Sequence, residues 1–377
     1  MVKKKILLIA SYPKSLILFR GPLIREFIDH GYKVYACAPD NDIMTIKQLE
    51  GMGVTFIPIP LSRRGLNVIK DIKLFIALCR ILRELKPGFL LLYTIKPNIY
   101  GSLAGYISNI KNIFSIITGV GYVFYQENYL QKILSFFLKT LYRTSLNINK
   151  VVFFQNIDDK LLFEDFGIIS KNNKVVILNG SGVDLKYYKE SKPILAPITF
   201  LIISRLIKEK GINEFIQAAI ITKKKYPEVV FQIIGDPEKG PSAISEENLF
   251  KYDKKGFIHY LGYKEDVREF IKQCSVYVLP SYREGTPRTV LEAMSMSRPI
   301  ITTDAPGCRE TVISGKNGFL VPIKNIDELV IKMEKFILDK TLVEKMGKES
   351  RKIAEQKYDV NKVNKLILEE IKSSNKS

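Results

Sequence analysis

Ser275-Val-Tyr-Val-Leu-Pro280-Ser-Tyr-Arg-Glu284-Gly285-Thr286-Pro287-Arg288-Thr289-Val290-Leu-Glu292-Ala293 is the stretch on which the reading of this chain turns. It starts as a short apolar, β-rich run closed by Pro280, which predicts a buried strand. Thr286 followed by Pro287 predicts an N-cap and first helical residue, with the helix running from Arg288 to about Met296 and stopping before Pro299. Pro287 has no N–H, so the open amides would be those of Arg288, Thr289 and Val290, at the positive end of the helix dipole and suited to a phosphate. Glu292 follows Pro287 by five residues, roughly 7.5 Å along a helix axis. A carboxylate would then stand at each end of a short rod, Glu284 before it and Glu292 along it. By spacing alone, an ordinary surface helix with an acid near its favourable end fits better. The surroundings decide.

Outward from this stretch, the chain alternates strand and helix. Ile6–Ser11, Lys33–Ala38, Thr55–Ile59, Phe89–Tyr93, Ile113–Ile117, Val151–Gln155 and Val175–Leu178 are short apolar runs, with helical patterns such as Arg20–His30, Ile72–Leu85 and Asp158–Phe166 between them. A polar stretch, Asp184–Pro197, holds two prolines and no periodicity, and reads as a linker. Strands resume at Ile198–Ser204, Val229–Ile234, Phe257–Leu261, Val276–Leu279 and Ile300–Thr303, with helices Ile212–Lys225, Glu265–Gln273 and Ile326–Leu338. The expectation is an α/β chain of two Rossmann-like domains facing across a cleft, residues 1–185 and 196–357, with a terminal helix in 358–377 crossing back to the first.

The strand-end loops supply further candidates. Ser204-Arg205-Leu-Ile-Lys-Glu-Lys210-Gly211 puts two cations at the ligand-binding edge, able to neutralise a diphosphate without a metal; a solvated basic loop competes, above all for Lys210. Gly235 and Gly262 follow later strands, where glycine lets backbone approach a base or phosphate, or simply turns the chain.

Composition narrows the class. The 377 residues suffice for two cores. Cys37, Cys79, Cys274 and Cys308 are scattered, so neither a zinc site nor a disulfide framework is expected, and a reducing cytoplasm fits. The opening Met-Val-Lys-Lys-Lys-Ile-Leu-Leu-Ile-Ala is too short an apolar run for a secretion signal and reads as a first strand. The net charge of +19 is uneven: residues 1–150 hold 21 Lys and Arg against 8 Asp and Glu, the remainder 37 against 31. A basic first half suits an anionic partner. Lys132, Lys139 and Arg143, interleaved with apolar residues along Tyr129–Arg143, point to an anionic membrane surface, although such a helix more commonly packs on its own sheet.

Taken together, Arg205-x4-Lys210-Gly211, Glu284-Gly-x-Pro-x4-Glu292-Ala, Pro306-Gly-Cys-Arg-Glu310 and Gly315-Lys-Asn-Gly318-Phe-Leu-Val321 resemble family 4 of the retaining GT-B glycosyltransferases. The likeness implies that Arg205 and Lys210 bind the diphosphate of a nucleotide-sugar donor, a UDP-N-acetylhexosamine or UDP-hexose. It implies that Glu284 holds sugar hydroxyls and Glu292 the ribose, with Gly285, Thr286, Thr289 and Val290 along the sugar–phosphate path. It implies a metal-independent, configuration-retaining transfer with no cofactor. Phe19-Arg20-x-Pro22, Thr94-Ile-Lys96-Pro97 and Thr118-Gly119-Val-Gly121 are similar to enzymes extending lipid-diphosphate-linked glycans of bacterial O-antigen, capsule or glycoprotein pathways, working at the cytoplasmic membrane face. Arg20, Lys96, Thr118 and Gly119 would then serve the acceptor, or Arg20 and Lys96 be structural cations. Two departures stand out. Ser11-Tyr-Pro-Lys-Ser-Leu replaces a glycine pair after the first strand, and no histidine lies near Thr118; His30 and His259 are best read as structural.

Competing readings fare worse. Asp40-Asn41-Asp42 matches a metal-binding Asp-x-Asp, but turn chemistry explains it. A nucleotide-sugar epimerase would need acid–base groups that two histidines hardly supply. A nucleic-acid-binding protein lacks a helix-turn-helix or aromatic sheet face.

Overall fold

The computed structural model describes residues 4–39, 42–62, 67–120, 129–238 and 240–374, with backbone alone for 129–134. The chain forms two compact units, Met1–Ser181 with Asn361–Ser377, and Gly182–Val360.

The first unit is built on strands β1 (Lys5–Ile9), β2 (Lys33–Ala38), β3 (Thr55–Pro58), β4 (Phe89–Tyr93), β5 (Ile113–Ile117), β6 (Val151–Phe154) and β7 (Val175–Ile177). They form one parallel sheet in the order β3-β2-β1-β4-β5-β6-β7. β4 is buried at every position, as an unbroken apolar run requires of a strand covered on both faces, while the edge strands β3 and β7 are only partly covered. Strand order reverses between β1 and β4, which opens a crevice at their C-terminal ends. The terminal helix Val360–Ser373 buries Val363, Ile367, Leu368 and Ile371 in this unit's core, a stripe of helical spacing.

The second unit holds β8 (Thr199–Ile203), β9 (Val230–Ile234), β10 (His259–Tyr260), β11 (Val276–Leu279), β12 (Ile300–Thr303) and β13 (Gly318–Val321), all parallel, in the order β10-β9-β8-β11-β12-β13. Here the order reverses between β8 and β11. Strand β13 carries no signal that the sequence reading used: it pairs Ile300 with Gly318 through Thr303 with Val321, and the partner strand makes it a strand. A Cβ at Gly318 would stand 1.8 Å from the Ile300 carbonyl oxygen, so the pairing excludes any larger residue. Helices Glu246–Lys254 and Thr341–Ile353 were also passed over, because each is charge-rich with a narrow apolar stripe; the latter buries Val343, Met346, Gly347 and Ser350.

The stretch Asp184–Pro197, read as a linker, belongs to the second unit. Tyr188 joins its core, and the fully buried Arg298 guanidinium donates to the Ser191 carbonyl (2.8 Å) and hydroxyl (2.9 Å). Aperiodic backbone presents carbonyls that a buried cation can use, and no repeat in the sequence announces this. Asp42 caps helix Ile43–Gly51 by accepting from the Thr45 amide (3.1 Å) and hydroxyl (2.7 Å), whereas Asp40 and Asn41 lie outside the described residues. His30 and His259 are both exposed.

All four cysteines are buried. Burial pushes the thiols of Cys37 and Cys308 up to about 12 and that of Cys274 to about 11. The thiolate is the reactive form, so a thiol reagent at pH 8 should label the native protein slowly and all four cysteines after denaturation. Fast labelling of more than one site in the native state would contradict this packing.

Candidate functional site

In the second unit the two loops that flank the β8/β11 reversal carry most of the charged candidates. The loop after β8 runs from Ser204 to Gly211; the loop after β11 runs from Pro280 to Pro287. Backbone and side chain tie them together: the Tyr282 amide donates to the Glu209 carbonyl (2.9 Å) and the Ser281 hydroxyl to the same oxygen (3.0 Å). Gly211 adopts φ 72°, and a Cβ there would meet the Pro280 carbonyl oxygen at 2.2 Å, so the loops approach too closely for a side chain.

Lys210 and Glu284 form an ion pair across this junction, each side chain about one-seventh exposed (15% and 13%). A third loop, after β12, braces the acid. The Glu284 amide donates to the Pro306 carbonyl (3.0 Å), and a Cβ on Gly307 would lie 2.1 Å from the Glu284 carbonyl oxygen. The Glu284 carboxylate adds to burial in holding the Cys308 thiol neutral.

The helix after this loop spans Arg288–Ser295 and is capped by Pro287, whose backbone is extended (φ −71°, ψ 108°). The predicted cap at Thr286 is therefore one residue early, and its hydroxyl donates to the Gly285 carbonyl (2.9 Å). The Val290 amide donates to the Pro287 carbonyl at 3.1 Å, which removes it from the expected trio of phosphate donors. Arg288 and Thr289 supply the remaining amides at the helix start.

Glu292 is 5% exposed, and its Oε1 accepts from the Tyr188 hydroxyl (2.7 Å) and from Arg288 Nε (2.9 Å). Burial, reinforced by the Glu292 carboxylate, raises the Tyr188 phenol well above its ordinary value, so it stays a hydrogen-bond donor at any physiological pH. Tyr188 is a site residue that sequence reasoning missed, because it lies in the stretch taken for a linker.

Arg205 lies in the same loop as Lys210 but is about half exposed (47%), and pairs with Glu238 at 3.2 Å. Gly235 is explained by packing, since a Cβ there would meet the Ser204 carbonyl oxygen at 2.5 Å. Gly262, whose carbonyl accepts from the Gly235 amide (3.2 Å), has open space where a side chain would stand. Among the described residues no cluster of three or more His, Cys, Asp or Glu is arranged to hold a metal ion.

The first-unit candidates sit around the β1/β4 reversal. Thr94, in a left-handed backbone conformation (φ 73°), donates its hydroxyl to Ser11 at 2.9 Å across the two loops. Lys96 is ion-paired with Asp71 at 2.6 Å, and Tyr100 donates to the same carboxylate at 3.2 Å. Arg20 is 1% exposed with its guanidinium over the Tyr93 ring. Arg20 is thus placed as a core cation, where sequence reading allowed either a ligand or a structural role. Thr118 and Gly119 follow β5 and are partly exposed; Gly121 lies outside the described residues.

Comparison with known proteins adds to this geometry. A family profile described as glycosyl transferases group 1 matches residues 186–353, and one described as glycosyl transferase 4-like matches residues 5–156. An N,N'-diacetylbacillosaminyl-diphospho-undecaprenol alpha-1,3-N-acetylgalactosaminyltransferase of Campylobacter jejuni is 28% identical over 361 residues, covering 92% of this chain and 93% of its own. A UDP-Gal:alpha-D-GlcNAc-diphosphoundecaprenol alpha-1,3-galactosyltransferase of Escherichia coli is 25% identical over 302 residues, 75% of each chain. Among solved structures, Anabaena HepE, crystallised with UDP and glucose, superposes with a TM-score of 0.77 at 18% identity, over 98% of this chain and all of that one.

Proposed function

Since this chain is a GT-B glycosyltransferase of family 4, we propose that it transfers a sugar from a nucleotide-sugar, UDP-linked, to a lipid-diphosphate-linked glycan in bacterial surface-polysaccharide or glycoprotein assembly. The observation that carries this reading is the half-buried Lys210–Glu284 pair at the β8/β11 reversal, with Glu292 held on the helix that follows by Tyr188 and Arg288. Relatives that span most of the chain are named for transfers to diphospho-undecaprenol-linked sugars, which supports the acceptor class.

Each residue has a task in this reading. Glu284 exchanges its contact with Lys210 for sugar hydroxyls, and Lys210 turns to the diphosphate. Arg205, already exposed, adds a second positive charge. Glu292 accepts from the ribose hydroxyls with the lone pairs that Tyr188 and Arg288 leave. The bond between the anomeric carbon and the diphosphate oxygen breaks, and its electron pair leaves with the diphosphate. The acceptor hydroxyl forms the new bond on the same face and gives its proton to the departing phosphate oxygen, so configuration is retained. Two lysine- and arginine-borne charges take up the developing negative charge, a role that needs no metal.

Turnover with UDP-sugar should therefore survive EDTA. Loss of activity on chelation, recovered by a divalent cation, would overturn the metal-independent part of the proposal. The donor class is tested by a thermal-shift screen of nucleoside diphosphates, in which UDP at a hundred times its Kd should stabilise by about 2.7 kcal/mol.

The lipid-linked acceptor places the reaction at the cytoplasmic membrane face, and the surplus of positive charge in residues 1–150 suits that anionic surface. Among the described residues no helix is long and apolar enough to cross a membrane. In helix Tyr129–Asn147, Phe136 and Phe137 are exposed beside Arg143, the pairing expected of an interfacial helix.

A further inference from the structure

Helices Val68–Leu85 and Tyr129–Asn147 of the first unit border a groove of about 480 Å³. Val68, Ile72, Phe75, Leu103, Phe137 and Leu141 are among its lining. Helical spacing should have buried Val68, Ile72 and Ile76 on the sheet; instead they are 72%, 53% and 62% exposed, while Leu74, Leu78 and Leu82 do the packing. On the facing helix Phe137 is 60% exposed. A paired apolar surface left open on two helices marks a binding surface rather than scattered exposure.

The charges around the groove select among occupants. Its one acid, Asp71, is neutralised by Lys96 and by the Tyr100 hydroxyl. Lys70 and Lys73 on one helix and Arg143 on the other are exposed, with no unpaired acid lining the groove. An apolar trough borne by two helices that expose Lys70, Lys73 and Arg143 complements an amphiphile whose anionic head precedes a hydrocarbon tail.

We infer that this groove holds the first isoprene units of the lipid acceptor, with the exposed cations of its two helices offered to the anionic head. The inference rests on the lipid-linked acceptor proposed above and adds where the tail is read. It requires affinity to rise with chain length at constant head group.

The test compares two soluble probes with the same head group: farnesyl diphosphate, with three isoprene units, and dimethylallyl diphosphate, with one. Calorimetric titration of the full-length protein should show at least tenfold tighter binding of the farnesyl compound. The double variant Ile72→Ser/Phe137→Ser, altered at exposed positions, should lose that preference and keep the affinity for the short probe. Leu141→Trp, which fills the groove, should do the same. Equal affinities for the two probes in the unaltered protein would overturn the inference, and so would a preference untouched by either variant. Should the double variant lose only its attachment to phosphatidylglycerol vesicles, the surface is a membrane contact and the groove assignment fails. Should it lose only self-association in sedimentation, the occupant is a second copy and the assignment fails likewise. Sugar transfer measured in parallel separates this result from the proposed reaction: transfer without chain-length preference sinks the groove alone.

Discussion

Lys210→Met is expected to lower kcat by about a hundred- to a thousand-fold, the cost of removing one preorganised positive partner from developing charge in a dry site. Methionine keeps the length of the stem and removes the ammonium. The loss should fall on kcat more than on donor KM, because the diphosphate gains charge as its bond to the sugar breaks. Glu284 would be left about one-seventh exposed without its partner, so a stability loss of up to about 3 kcal/mol accompanies the change. Thermal unfolding of the variant, read beside its kinetics, separates a fold defect from a lost catalytic contact. Arg205→Ala is the internal comparison. Arg205 is about half exposed and solvent screens it, so its loss should cost clearly less. A Lys210→Met enzyme that keeps its Tm and turns over within threefold of the parent would remove Lys210 from the reaction.

Glu292→Ala should raise donor KM by about ten- to a hundred-fold, with kcat changed much less. A hydrogen bond to a charged acceptor contributes about 1.5–3 kcal/mol, and the ribose makes the same contact in ground state and transition state, so the loss appears as weaker binding. The carboxylate also satisfies the Tyr188 hydroxyl and Arg288. Tyr188→Phe is therefore a useful second variant: it leaves the acid in place but removes one of the two groups that orient it. A smaller rise in KM is expected, of the order of threefold. If the parent binds a donor lacking both ribose hydroxyls as tightly as the ribose donor, Glu292 does not read the ribose.

Glu284, Arg205 and Lys210 stand out as candidates in the sequence because strand–loop–helix punctuation places them at strand ends, where parallel sheets bind ligands, and Glu292 because it lies on the helix that follows. Pro280, Pro287 and Pro299 bounded the key element to within a residue or two. The N-cap was placed one residue early because Thr286 carries a capping hydroxyl, whereas Pro287 takes the position through its extended backbone and its carbonyl. Tyr188, Gly307 and Arg298 gave no such signal. Tyr188 and Arg298 act through partners far along the chain, Glu292 and the Ser191 carbonyl, and Gly307 through the close approach of the Glu284 carbonyl from another loop. A pattern within one element cannot show a contact across roughly a hundred residues, nor a close approach that only a Cβ would betray.

Local order along the chain was sufficient for the parallel strands other than β13, for the more periodic crossover helices and for the positions of the charged loops, because apolar period and turn chemistry act between neighbours. Tertiary packing alone decided how those charges are spent. It joined Lys210 to Glu284 and Lys96 to Asp71, buried Arg20 under Tyr93, and left Ile72 and Phe137 facing out along an apolar groove. A side chain's partners and its exposure depend on which surfaces meet in space, and that is settled when the whole sheet and its helices close over one another.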